Sequence, residues 1–414
     1  MIKALQWLAA GTALIAAPAA ADTVCEWVDF AQTIQTAAAP PPTAPRTPDH
    51  DRAQTQVSLA MFEALNAIDR RYESYLGMPA GDRAASQDAA AATAAYRVLA
   101  AHYPGQKTAL DENYLIAMEA VADTRARDSG KAIGEAAAAL ALKAGGIDPA
   151  VPQLAYRPRA QTGVWVPTQL PVFDPYFTAF KPWILPRVDA VRPAPPPQLA
   201  SETWARDYDE VKRVGGKVSK ERTAHQTLMA RYRITPNMTP TMRIAADSPG
   251  RRPVENARMF AMQSMILDDA LMATAEAKLH YNFWRPVTAI RNGEDDGNPA
   301  TAADPSWEPL ITTPNHPEYP CGHCAMAGSI AEFMTAEVGP KPPYGVRVSS
   351  RSIANSAVQA LPSWDEWVRQ VNLSRTLGGV HYRFSNVAGE EIGRQVARMA
   401  LANVMRPLDK PGKR

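Results

Sequence analysis

Apolar residues recur at three- and four-residue intervals through most of the chain, the spacing of one buried helical face rather than of a strand. Residues 49–76 show it through Val57, Leu59, Ala60, Phe62, Leu65 and Ile68, with Gly77 and Pro79 ending the run. Two Ala-rich stretches, 84–101 and 108–143, are separated by Pro104-Gly105 and closed by Gly145-Gly146. Shorter helices are predicted over 201–213 and 219–233. A long helix is predicted over 254–281, where Met259, Met262, Met265, Ile266, Ala270 and Ala273 form a stripe read as core. The last predicted helices are 322–338, ended by Gly339-Pro340, then 364–377, stopped by Gly378-Gly379, then 386–405. No β alternation competes and no repeat of fixed period appears. The expectation is an all-α fold whose two halves pack as one helical unit.

The 37 prolines predict long irregular connections. Residues 37–48 (AAAPPPTAPRTP) read as a Pro-rich lead-in. Residues 147–200 mix prolines with Trp165, Phe173, Tyr176, Phe177, Phe180 and Trp183, and read as an ordered cover because such aromatics need burial. At the N-terminus, Lys3, an apolar run from Leu5 to Ala17 and Ala19-Ala20-Ala21 before Asp22 have the layout of a secretory signal. The run is shorter than the ~20 residues a spanning helix needs. The expected division is 1–21 signal peptide, 22–48 lead-in, 49–200 N-terminal helical part with its cover, and 201–414 C-terminal helical bundle. The expected location is periplasmic or secreted, with no transmembrane segment in the mature chain.

Charge narrows the partners. Lys+Arg is 44 and Asp+Glu 42, so no basic field invites nucleic acid. Three cysteines exclude a disulfide scaffold, although export permits a disulfide. Small-molecule chemistry is expected, and three blocks carry it. In the first, Lys278 and Arg285 stand seven apart, two helical turns on one face, with Tyr281, Phe283 and Trp284 between them and Pro286 after. Two cations among aromatics suit a buried oxyanion, while the plainer alternative is a solvated basic face. In the second, His316-Pro-Glu-Tyr-Pro-Cys321-Gly322-His323-Cys324 opens a helix. Its amides and positive dipole end face an anion, Gly322 permits close approach, and His323 is placed for proton transfer. In the third, Arg375 precedes a Gly-Gly break and His381 follows it.

K-x6-R-P, P-x-G-H and S-R-x5-H, in this order over residues 254–400, resemble the vanadium-dependent haloperoxidase and type-2 phosphatidic acid phosphatase superfamily. NAIDRRYESY (66–75), Phe-Trp-Arg-Pro and Gly-Val-His-Tyr-Arg-Phe resemble its bacterial haloperoxidase-like branch. The resemblance implies a helical bundle of the vanadium haloperoxidase and acid phosphatase type. It implies vanadate as cofactor, with phosphate as the competing oxyanion. Lys278, Arg285 and Arg375 would hold the equatorial oxygens, with the Gly322 amide and Cys321 beside them. His381 would be the axial metal ligand, or the phosphoryl-accepting nucleophile in a phosphatase, and His323 the general acid/base. Peroxide and bromide or iodide would be substrates. The alternatives are a phosphomonoesterase acting through a phosphohistidine at His381, or a protein that binds phosphate without turnover.

The chain departs from that pattern in several places. Cys321 stands where the family usually has Ser, and a thiol is a weaker donor and open to peroxide. Ser385 stands where an Asp usually follows the ligand histidine by four, which counts against an efficient phosphatase. Ala275 replaces a Trp of the halide pocket, and His316 resembles the algal bromoperoxidase residue at that pocket. Asp268 and Asp269 are candidate partners of His323 by nearness alone. Cys321-Gly-His-Cys324 also reads as a disulfide-exchange sequence or, with His316 or His323, a zinc site. The first lacks a βαβ context and the second a fourth ligand. A disulfide between Cys321 and Cys324 is the simpler expectation. The oligomeric state is not legible in the sequence.

Overall fold

The structure, a computed structural model, describes residues 22–39, 48–147, 157, 159–169, 172, 178–234, 236–342, 345–353 and 355–408. Residues 1–21, expected as a signal peptide, and residues 40–47 of the Pro-rich lead-in lie outside the described residues, as do Phe173, Tyr176 and Phe177 of the expected aromatic cover.

The N-terminal helices are α1 (Thr23–Ala38), α2 (Pro48–Ile68), α3 (Gln87–His102), α4 (Lys107–Glu119) and α5 (Thr124–Lys143). Then come α6 (Glu202–Gly215), α7 (Ala224–Tyr232), α8 (Thr239–Ala246), α9 (Pro253–Tyr281) and α10 (Pro286–Arg291). The chain ends in α11 (Gly322–Val338), α12 (Trp364–Leu377) and α13 (Arg383–Asn403). Helix α9 is the axis. Its Met259, Met262, Met265, Ile266, Ala270 and Ala273 are buried in one core with α2 and α3 on one side and α11 and α13 on the other. The two halves therefore share a core. Residues 22–39 are not only a lead-in. Asp22 caps α1, and Val24, Cys25, Trp27, Val28, Ala31 and Ile34 bury its inner face, an apolar spacing hidden beside the proline run.

Several helix ends differ from the spacing-based reading for local reasons. Residues 69–76 leave α2 because Asn66 Oδ1 accepts the Arg71 and Tyr72 amides and Glu63 Oε1 accepts those of Tyr75 and Leu76. The 108–143 stretch is divided because Asp123 caps a new helix on the Ala126 amide. Residues 219–223 stay outside α7 because Thr223 and Gln226 close a capping box. A small antiparallel sheet, β1 (Pro236–Asn237), β2 (Val346–Ser350) and β3 (Gln359–Leu361), also stands where no strand was expected. Pro236 pairs with Ser350, and Val346 with Leu361. Such short strands are set by packing against α8 and α12 rather than by their own pattern.

Close approach at glycines fixes α13 against the start of α11. A Cβ at Gly389 would stand 2.1 Å from the Cys321 carbonyl oxygen, and one at Gly393 1.9 Å from that of Ala325. No side chain fits there, so the His323 turn and the segment after His381 are held together at backbone distance. Among the described residues no helix is long and apolar enough to cross a membrane.

Candidate active site

The three sequence blocks meet at one buried place. Lys278 sits in the last turn of α9, Arg285 at the N-cap of α10, Gly322 and His323 in the first turn of α11, Arg375 in the last turn of α12, and His381 just before α13. Arg285 and Arg375 are buried with His381, and Lys278 nearly so. An aromatic wall of Trp204, Tyr208, Phe283, Trp284, Tyr319 and Tyr382 backs this side of the bundle.

The cations do different work. Lys278 Nζ donates to the carbonyls of Pro317 (3.0 Å), Glu318 (2.8 Å) and Pro320, using all three ammonium hydrogens on the loop before α11. It clamps that loop and lends its charge. Arg285 donates Nε to the His316 carbonyl (3.0 Å) and Nη1 to the Val380 carbonyl (2.7 Å), with Nη1 also 3.2 Å from His381 Nε2. Its Nη2 lies 2.9 Å from His316 Nδ1. Arg375 is the open one: its Nε and Nη1 are buried and unpartnered. Burial lowers the pKa of all three, to about 10 for Arg285, to about 9 for Arg375 and well below the usual value for Lys278.

One carboxylate faces these cations, and it escaped the motif reading. Glu318 is fully buried, its Oε1 lies 2.7 Å from His381 Nδ1, and it accepts the Tyr382 amide at 3.2 Å. Burial pushes its pKa up to about 7, against the pull of Arg285 and Lys278. His381 stays neutral, held well below 6.5 by burial and then by Arg285, Lys278 and Arg375. Its Nδ1–H therefore donates to Glu318, leaving the Nε2 lone pair toward the cradle. Ser385 Oγ, at the position of the usual Asp, is 3.4 Å from the same Nδ1. The orienting carboxylate thus comes from the second block. The signal in the sequence was Glu318 itself, two residues after His316 in a loop otherwise read for Cys321, Gly322 and His323.

His323 donates Nε2–H to the Ile234 carbonyl at 2.7 Å, so its Nδ1 carries the lone pair. Burial, then Arg375, hold its pKa down to about 3. Asp268 and Asp269 are not its partners. Asp268 accepts from Thr55 and the Trp183 indole, and Asp269 from the amides of Trp183, Ile184 and Leu185. Proximity along α9 misled because both side chains face α2 and the 183–185 segment. His316 stands against Arg285, and burial followed by the Arg285 charge holds its pKa well below 6.5. Ala275 is buried on α9.

Cys321 and Cys324 form a disulfide, Cα–Cα 5.3 Å, with Cys321 as the N-cap of α11 and its Sγ accepting the Cys324 amide. Among the described residues no group of three or more His, Cys, Asp or Glu could hold a metal ion. The zinc reading therefore lacks a ligand set, and the helical surroundings remove the thioredoxin-like one.

The residues fit an oxyanion. Among the described residues three buried cations face one carboxyl group, and two Arg375 nitrogens are left unmatched, a costly arrangement unless an anion completes it. The first-turn amides of Gly322 and His323 have no partner within α11. A Cβ added at Gly322 would find nothing nearer than Thr274 Cγ2 at 3.8 Å, so the glycine opens onto space that protein does not fill.

Residues 258–410 match the family model described as the VCPO second helical-bundle domain. A curated relative, the vanadium chloroperoxidase of Curvularia inaequalis, is 32% identical over 88 residues, which are 19% of this chain and 14% of that protein. That match spans a small part of the curated relative. A solved bacterial vanadium-dependent iodoperoxidase superposes with a TM-score of 0.75 at 20% identity, covering 94% of this chain and 97% of the other. A holo-type bacterial vanadium-dependent chloroperoxidase gives 0.67 at 19%, covering 90% and 96%. The chain therefore shares the helical fold of these solved structures, and its residues 258–410 match the second helical-bundle domain of that family model.

Proposed function

We propose that the chain is a vanadate-dependent haloperoxidase that oxidises bromide or iodide with hydrogen peroxide. The observation that carries the reading is Arg375, whose two open guanidinium nitrogens support an oxyanion held jointly with Arg285 and the Gly322 and His323 amides. Lys278 supplies charge and fixes the loop. His381, aimed by Glu318, would hold the group through Nε2. His323, neutral and with its Nδ1 lone pair open, would take up a proton from incoming peroxide and return it to the oxygen that leaves as water; a bound anion would raise its pKa toward that task. Bound vanadate would supply Lewis acidity toward peroxide without changing oxidation state. His316, beside Arg285, is proposed at the halide side. The proposed location is outside the cytoplasm, on residues 1–21 and on the Cys321–Cys324 disulfide, which an oxidising compartment keeps closed.

A second reading keeps a specific observation. Glu318 orients His381 as a phosphohistidine nucleophile requires, so the missing Asp at 385 no longer argues against phosphoryl transfer. Purified protein is assayed for bromide and iodide oxidation with peroxide, with and without orthovanadate, and for phosphomonoester hydrolysis. Oxidation only with orthovanadate supports the proposal. Hydrolysis without oxidation replaces it with the phosphatase, and oxyanion binding with neither activity replaces it with a phosphate-binding protein.

A further inference from the structure

A second buried guanidinium has the open character of Arg375 and lies outside the cradle. Arg233 follows α7 and is fully buried. Its Nη2 donates to Gln359 Oε1 (2.8 Å) and Gln370 Oε1 (2.6 Å), while Nε and Nη1 have no partner. The guanidinium carbon lies 4.9 Å from the Tyr232 ring centroid and 5.4 Å from that of Trp367, whose indole N–H is also buried and unpartnered. Two unpartnered guanidinium nitrogens and an unpartnered indole nitrogen therefore lie in one buried neighbourhood. The carboxylate that acts on it, Glu366, reaches it through the Gln370 amide and is itself bonded to Arg369. Arg52 is a useful contrast. It too has open Nε and Nη1, but Asp268 and Asp269 balance its charge. Among the described residues Arg233 hydrogen-bonds only to neutral glutamine oxygens, and a buried cation so placed is costly without a counter-ion.

We infer that the open Nε and Nη1 of Arg233, beside the Trp367 ring, form a second anion site, taking a halide-sized monovalent anion. The donors favour that class. A spherical monoanion accepts from both open guanidinium nitrogens and needs no donor of its own, and one guanidinium cancels its charge. A phosphate dianion would bring more charge than the site can match. The site also reaches the cradle. Ile234, the next residue, supplies the carbonyl that holds His323 Nε2. An anion fixing Arg233 thus fixes the backbone that orients His323. This link rests on the proposed role of His323, whereas the site itself does not.

The test first saturates the cradle with orthovanadate, so that bromide is read elsewhere. Tm is followed by circular dichroism as bromide replaces gluconate at constant ionic strength. A saturable rise in Tm is expected, absent in Arg233→Gln and weakened in Arg233→Lys, which keeps the charge without the fork. Crystals of the unmodified protein in bromide should show an anomalous peak within hydrogen-bond reach of Arg233 Nε or Nη1, which decides the matter even if the variants fail to fold. No peak, or an equal bromide response in Arg233→Gln, overturns the site. A peak without any Tm response marks an adventitious ion only, and also overturns it. Failure of orthovanadate to bind would sink the cradle reading and leave the Arg233 result standing.

Discussion

Replacing Glu318 by Gln separates what this carboxylate does for chemistry from what it does for stability. The amide keeps the shape and can still accept the His381 Nδ1–H, but it removes the charge that fixes the tautomer. A hydrogen bond to a charged acceptor is worth about 1.5–3 kcal/mol, so activity should fall roughly 10- to 100-fold. Stability should move the other way. In the oxyanion-free fold the Glu318 pKa rises from 4.5 to about 7, so the folded state binds the proton more tightly than the unfolded chain. The wild type is therefore most favoured below 4.5 and loses stability as pH rises to about 7, in all about 3 kcal/mol. Glu318→Gln cannot ionise and escapes that loss, so its Tm at pH 8 should equal or exceed the wild type's. Adding Ser385→Asp returns a carboxylate to within reach of Nδ1, since Ser385 Oγ is already 3.4 Å away, and should restore much of the activity. The assay pairs peroxide-dependent halide oxidation with thermal melts at pH 5 and pH 8. Unchanged activity in Glu318→Gln, or a Tm well below wild type at pH 8, would refute the reasoning.

Other outcomes follow from the same geometry. Arg375→Gln removes two open charged donors and should weaken orthovanadate binding by roughly 3 kcal/mol, about 100-fold, by calorimetry. Gly393→Ala puts a Cβ 1.9 Å from the Ala325 carbonyl oxygen and should cost about 3 kcal/mol or more, read as a large fall in Tm. Cys321→Ser with Cys324→Ala removes the disulfide at a cost of about 2 kcal/mol for so short a loop, yet should keep orthovanadate affinity because Ser caps α11 as well. His316, His323 and His381 are held neutral in the fold but gain protons in the unfolded chain below 6.5. Their stabilisation is complete above that pH and lost as pH falls, with about 3 kcal/mol from His323 alone by pH 4.5. A Tm–pH series on the oxyanion-free protein tests this.

What the sequence disclosed, and what it hid, follows the range of the forces involved. Helices α11 and α12 were readable to the residue because Gly339 and Gly378-Gly379 end them locally. The three blocks that carry Lys278 and Arg285, Cys321 to His323, and Arg375 and His381 were readable because each is short in sequence and together they resemble a family's motifs. Partners were not. Glu318 meets His381 across 63 residues, and Ile234 meets His323 across 89, joined only by how α7, α11 and α13 pack. The Asp268–Asp269 pair shows the opposite error, since closeness along α9 does not say which face a carboxylate takes. The glycines that seat α13 on α11 looked like ordinary helix residues until the facing carbonyls were known.

The central claim is that one buried cradle binds vanadate and with it oxidises halide. The most direct measurement is bromide and iodide oxidation by the purified protein with peroxide, before and after orthovanadate, beside His381→Ala. The account predicts activity that appears only with orthovanadate and is absent from the variant. Equal activity without orthovanadate, or a fully active His381→Ala, would contradict it.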